Sequence, residues 1–368
     1  MSSEPLHGLY IHVPFCSRKC PYCDFYSVNS LHQIPDYTKA LALEVTSQIR
    51  YWHEGFDTLY LGGGSPSLLE RDDLSEVKKA ISPLSVSSRA EITLEANPED
   101  VTIDKVKFWA DWGVNRISLG VQSFSQEVLF HSLGRSHTKQ HNYDAISFIK
   151  KVGLNLSLDL IYGWSGQTPE DWEADLKVAL SFSPKHISAY SLTPSRGTPL
   201  YYNLERGLHP PLPPEDTVAE LFLMTACILG DGGFQHYEVS NFARRGQVCR
   251  HNLKYWRREP YLGLGPAAHS FDGIRRYANL SSLQDWIMAL HSGRTHRDFI
   301  EDIDLEQAKL ESVMLGLRLS EGLSTSQVKG SEKLEFLIEE GYLIQDGNKV
   351  IPSEKGFLAA DYLARTLV

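Results

Sequence analysis

The sequence predicts an α/β fold: about six strand and helix pairs in a parallel sheet, either curled into a full or partial TIM-like barrel or left open and doubly wound, with a winged-helix-like α+β domain at the C-terminus. Three observations predict it. Short β-rich runs alternate with segments of helical period from Leu6 to about Leu192, unusual polar residues recur just after those runs, and beyond Asp302 the pattern changes to helices around one hairpin. A chain of 368 residues, 42% of them hydrophobic, can bury one full-sized core and a smaller second one.

The strands are read at "LYIHV", "TLYLGG", "EITLEAN", "RISLGVQ", "LNLSLDLIYG" and "HISAYSL". Between them, "DYTKALALEVTSQIRYW" sets Tyr37, Leu41, Val45 and Ile49 on one helical face, and "PEDWEADLKVALSF" opens a helix with Pro169 in its first turn. Repeated strand and helix pairs imply right-handed crossovers between parallel strands, so chemistry belongs at the C-terminal strand ends. Those ends carry the cysteine cluster, "GGGSPS", "EANPE", "GVQSF" and "DLIYGWSGQT", which bring Glu95, Gln122 and Asp159 to one rim.

Residues 1–195 are thus expected to form the barrel and 196–300 a middle segment over its mouth. In that segment a Pro-rich connection leads into an apolar helix from about Asp216 to Leu229. "HYEVSNFAR", "VCRHNLKYW" and "YLGLGPAAHSF" follow, rich in His, aromatic and Gly residues, without clear period and loop-like. Residues 301–368 read as two helices, a hairpin turning at Asp346 and Gly347, and a last helix, the winged-helix-like domain.

The formal net charge of −10, without a long basic run, argues against a broad nucleic-acid surface or an electrostatic membrane anchor. No secretory leader and no run near ~18 apolar residues is read, so a cytoplasmic protein is expected, at most peripheral at a membrane.

Three of the five cysteines, Cys16, Cys20 and Cys23, fall within eight residues as C-x3-C-x2-C. In a reducing compartment such crowding suits a metal site better than disulfides. One loop with three thiolates can hold three irons of an iron–sulfur cube and leave the fourth open to a ligand. Structural zinc is the alternative; it takes four ligands, and only one C-x2-C pair is present. Cys227, inside "LFLMTACIL", reads as a buried core cysteine.

"CSRKCPYCDF" followed by "LGGGSPS" after the next strand resembles the radical S-adenosylmethionine (SAM) superfamily. There the three cysteines hold a [4Fe-4S] cluster, SAM chelates the free iron, and a glycine motif admits its methionine amino group. Along most of the chain the resemblance is to the branch with the oxygen-independent coproporphyrinogen III oxidases and the HemW haem chaperones. It implies a partial (β/α)6 TIM-like radical SAM barrel, with SAM contacts from Tyr10, Gly63, Gly64, Ser65, Glu95, Gln122, Arg135 and Asp159. These residues suit the task, with carboxylates for ribose hydroxyls, a guanidinium for the methionine carboxylate and an amide for polar edges.

Three features favour the chaperone branch. Phe25 stands where the oxidases have a fourth cysteine, the first strand begins almost at once, and "HNLKYW" (His251–Trp256) is similar to the HNxxYW signature of HemW proteins. The resemblance implies haem as cargo, with His251 as its ligand and Cys249 and His269 as competitors. Tyr255 and Trp256 offer flat apolar faces and Arg257 and Arg258 charges for propionates. It also implies acceptor haemoproteins, including membrane-bound respiratory enzymes, and allows a homodimer. The rivals are a coproporphyrinogen III oxidase and a zinc-holding nucleic-acid binder, the latter disfavoured by the acidic balance.

Overall fold

The computed structural model describes residues 6–328 and 333–367. The alternation runs β1 (His7–Val13), α1 (Ile34–Gln48), β2 (Phe56–Gly63), α2 (Arg71–Ile81), β3 (Val86–Ala96), α3 (Ile103–Trp112), β4 (Arg116–Gln122), α4 (Lys139–Val152), β5 (Asn155–Tyr162), α5 (Pro169–Ser181) and β6 (His186–Ser191). Thr168 caps α5 by accepting from the Asp171 amide while Asp171 reaches back to the Thr168 amide, so the helix starts where its Pro169 signal predicts.

Next come α6 (Pro199–Glu205), α7 (Glu215–Asp231), β7 (Gln235–Glu238), β8 (Asn241–Ala243), α8 (Arg250–Trp256), β9 (Tyr261–Leu264), β10 (His269–Phe271), β11 (Arg275–Asn279), α9 (Leu283–His291) and β12 (Arg297–Asp302). The C-terminal stretch holds α10 (Leu305–Gly316), β13 (Leu323–Ser324), α11 (Thr325–Val328), α12 (Leu334–Glu339), β14 (Leu343–Asp346), β15 (Lys349–Pro352), α13 (Glu354–Leu358) and α14 (Ala360–Leu367). The three stretches expected to be loop-like are therefore ordered elements: β7 and β8, α8, and β9 and β10. Strands of three or four residues and a helix of seven are too short to display a period.

The chain folds as two units. One comprises residues up to Asp159, Thr193–Pro211 and Glu259–Asp302; the other comprises Leu160–Leu192, Leu212–Arg258 and the chain from Ile303 on. In the first unit the strand order is β12-β11-β10-β9-β1-β2-β3-β4-β5. Pairing is parallel from β9 through β1, β2 and β3 to β4, and antiparallel among β9, β10, β11 and β12. Helix α1 buries Tyr37, Leu41 and Val45, as its period predicts. Ile49, the fourth expected core position, is 37% exposed because it lies just past the last turn.

In the second unit β8 pairs antiparallel with both β6 and β7. Trp172 of α5 is fully buried and donates Nε1–H to the Thr225 hydroxyl of α7 at 2.8 Å. Cys227 is exposed, contrary to the core assignment. The buried side of α7 carries Leu221, Phe222, Thr225 and Leu229, and a residue two positions from Thr225 falls on the opposite face. The sheet β13-β15-β14 covers an apolar cluster including Leu317, Leu337, Val350 and Leu363, with the predicted turn between Asp346 and Lys349.

Candidate functional site

The cysteine loop leaves the C-terminal end of β1 and is pinned by backbone bonds. Cys16 N–H donates to Val28 at 3.0 Å, Val28 N–H to Pro14 at 2.7 Å, and Cys23 N–H to Cys20 at 3.2 Å. The glycine run at the end of β2 is stitched to the same loop: Gly64 N–H reaches Val13 at 2.8 Å and Ser65 N–H reaches Phe15 at 2.7 Å. That approach needs bare glycine. A Cβ at Gly64 would lie 2.6 Å from the Phe15 carbonyl oxygen and 2.7 Å from that of Val13, and one at Gly63, where φ is +104°, would meet the His12 ring at 2.4 Å. These glycines therefore seat the cysteine loop on the protein itself, a role additional to admitting a ligand.

Two thiols receive hydrogen bonds. Ser65 Oγ lies 3.6 Å from Cys16 Sγ, and Arg135 Nη1 lies 3.1 Å from Cys20 Sγ. Asn97 stands between the two donors, accepting from Arg135 Nη2 at 2.5 Å and donating Nδ2–H to Ser65 Oγ at 2.6 Å. Cys23 is pushed up from the ordinary thiol value, chiefly by burial. Burial opposes the charge on Arg135, but Tyr22, Cys20 and Glu99 hold its guanidinium firmly protonated.

All eight positions expected to contact SAM lie in the first unit; seven lie on strands β1 to β5 or immediately after them, and Arg135 lies in the segment between β4 and α4. Tyr10 is opposite Tyr60 in the β1–β2 register, and Glu95 is opposite Ser118 between β3 and β4. Tyr60 OH donates to Glu95 Oε1 at 2.8 Å and Gly63 N–H to Oε2 at 3.1 Å; Ser118 Oγ lies 3.0 Å from both Asp159 oxygens. Gln122 adopts a left-handed backbone (φ +65°) at the end of β4, a conformation that costs about 1–2 kcal/mol in a non-glycine residue.

His12 carries no signal in the sequence beyond its place in a strand, yet it is central here. It is buried, its Nδ1 is 3.0 Å from Tyr10 OH, and its Nε2 is 2.9 Å from the Tyr26 carbonyl oxygen. Since a carbonyl only accepts, Nε2 carries the proton and Nδ1 accepts from Tyr10, which orients that hydroxyl. Burial lowers the His12 pKa to about 4. Asn97 was also missed; a polar residue between a strand end and a proline was its only trace.

Burial, with Asp159 nearby, raises Glu95 to about 7 against an ordinary 4.5, and Tyr60, Gly63 and Arg116 oppose the shift. A carboxyl with a raised folded-state pKa binds more protons folded than unfolded, so its contribution is complete below the unfolded value and is lost as pH rises through about 7. Glu95→Gln is expected to gain stability relative to the parent as pH rises from about 4.5 to 7. Urea midpoints of both proteins across that range check this, and two parallel curves would contradict it. His12 acts with the opposite sign between about 4 and 6.5.

The model of the radical SAM superfamily matches residues 10–179. Over 365 residues the chain is 35% identical to the Heme chaperone HemW of Lactococcus lactis, covering 95% of this chain and 94% of that protein. The chain belongs to the HemW family of radical SAM proteins. It is also 35% identical to the Heme chaperone HemW of Bacillus subtilis, across 87% of this chain and 85% of the relative. The structure of the Escherichia coli coproporphyrinogen III oxidase HemN, a radical SAM enzyme, superposes with a TM-score of 0.84 over 99% of this chain and 90% of the other; at 21% identity the likeness is one of fold.

Radical SAM membership implies a [4Fe-4S] cluster and SAM, and the residues of the cysteine loop fit the cluster. The loop offers three thiols, two of them facing hydrogen-bond donors that stabilise thiolate sulfur. Among the described residues no three His, Cys, Asp or Glu side chains converge as ligands of one ion would. Thiolates that bind separate irons of a cube need no such convergence.

The HNLKYW segment lies in the second unit, within α8. His251 and Tyr255, four residues apart on one face, meet at 2.8 Å between Nε2 and the hydroxyl, with the imidazole 1% exposed. Trp256 packs against Tyr237, Ala243, Leu253 and Leu319. Arg257 and Arg258, offered in the sequence as charges for propionates, pair with Glu321 and Glu311, the latter at 2.8 Å. Cys249 is buried ahead of the helix, and His269, exposed in β10, belongs to the first unit.

Proposed function

We propose that this protein is a haem chaperone: it binds haem and passes it to haemoproteins, and its cysteine-bearing unit holds a [4Fe-4S] cluster through Cys16, Cys20 and Cys23 and SAM through the surrounding strand ends. The observation that carries this reading is the likeness, along 94% of the relative's length, to a protein named a haem chaperone. Acceptors include membrane-bound respiratory enzymes, approached by peripheral contact; no helix among the described residues is long and apolar enough to cross a membrane. Formation of a homodimer is part of the same proposal.

In this reading His251 ligates haem iron through Nε2, the atom that faces the Tyr255 hydroxyl. Binding therefore requires Tyr255 to turn away from the imidazole, whose ring is now almost wholly covered. Tyr255→Phe is expected to tighten haem binding severalfold, and His251→Ala to weaken it about tenfold, or about 1.4 kcal/mol. A Soret-band titration of the three proteins reads both effects; identical curves would remove His251 from the haem site.

A further inference from the structure

Donor chemistry fixes the direction of every hydrogen bond around the cysteine loop. A guanidinium has no acceptor, so the Asn97 atom facing Arg135 is the carbonyl oxygen Oδ1, and Nδ2 must be the group that faces Ser65. Because Ser65 Oγ accepts from Asn97, its own hydrogen is free to point at Cys16 Sγ. Arg135 thus donates toward two thiols, to Cys20 directly and to Cys16 through Asn97 and Ser65. The placement of Asn97 is built in: Pro98 holds it extended (φ −88°, ψ 139°), and its backbone N–H donates to Ser67 Oγ at 3.1 Å.

We propose that Asn97 is a positioning residue that couples the Arg135 guanidinium to the Cys16 sulfur, so that one cation governs hydrogen bonding at two of the three cluster thiolates and thereby raises the reduction potential of the cluster they hold. The inference rests on the cluster assignment to Cys16, Cys20 and Cys23. Its physical basis is general: hydrogen bonds to sulfur favour the more negative, reduced cluster, and donors linked in a chain polarise one another.

The test is the midpoint potential of the anaerobically reconstituted protein, followed by electron paramagnetic resonance without SAM. Asn97→Ala should leave about tenfold less reduced cluster at a fixed potential, a fall of about 59 mV for one electron. Ser65→Ala should move the midpoint the same way, and Ser65→Thr, which keeps the hydroxyl, should restore it. A wild-type midpoint in fully iron-loaded Asn97→Ala overturns the proposal. Should Asn97→Ala fail to retain iron, Ser65→Ala decides: a lowered midpoint supports the bridge and an unchanged one overturns it. A wild-type protein that takes up no iron and sulfide instead overturns the cluster assignment on which the bridge rests.

Discussion

Cys20→Ala protein, reconstituted anaerobically with iron and sulfide, will stay colourless and nearly free of iron, while the parent turns brown with broad visible absorbance. Cys20 sits in the middle of the loop, and the Arg135 guanidinium at 3.1 Å lies against its sulfur. Removing that sulfur takes away one of three thiolates and one of the groups that face the buried Arg135 guanidinium, leaving Glu99 and Asn97 among its partners. Cys16→Ala and Cys23→Ala should behave alike, whereas Cys227→Ala, on the exposed side of α7, should keep the full iron content. Iron and acid-labile sulfide analysis checks all four variants. A colourless parent carrying stoichiometric zinc would contradict the prediction.

Gly64→Ala is expected to destabilise the first unit by about 2–4 kcal/mol. The added methyl would press on backbone atoms of Val13 and Phe15 at 2.6–2.9 Å, and backbone cannot rotate aside as a side chain can. Overpacking of this kind costs about 1–3 kcal/mol, and each hydrogen bond lost between β2 and the cysteine loop adds about 1 kcal/mol. The same displacement lifts the loop from Ser65, so the cluster should also be lost faster to chelators. Gly230→Ala, where a methyl meets nothing within 4 Å, is the control and should leave the urea midpoint unchanged or raised. Equal midpoints for Gly64→Ala and the parent would show that the glycine run is not held against the loop.

Much of the site was legible in the sequence because its parts are local. Three thiols in one loop, a glycine run after the next strand and a carboxylate at the end of the third each show as a signal within a few consecutive residues. What was not legible depends on partners distant in sequence. His12 is a strand residue whose meaning comes from Tyr10 on one side and the Tyr26 carbonyl on the other. Asn97 gains its place from Arg135, 38 residues on, and from Ser65, 32 residues back. In the fold, the long elements followed their periods, while β7, β8, α8, β9 and β10 were hidden by brevity. Arg257 and Arg258 pair with Glu321 and Glu311, which nothing in their neighbourhood of the sequence announces.

The most direct test of haem delivery pairs two assays on one preparation of cluster-reconstituted protein under anaerobic conditions. Haem-loaded protein is mixed with an apo-haemoprotein, and a second portion is given coproporphyrinogen III, SAM and reductant. Haem is expected to appear in the acceptor and coproporphyrinogen III to be recovered unchanged. Failure to bind or release haem, together with formation of protoporphyrinogen, would contradict it.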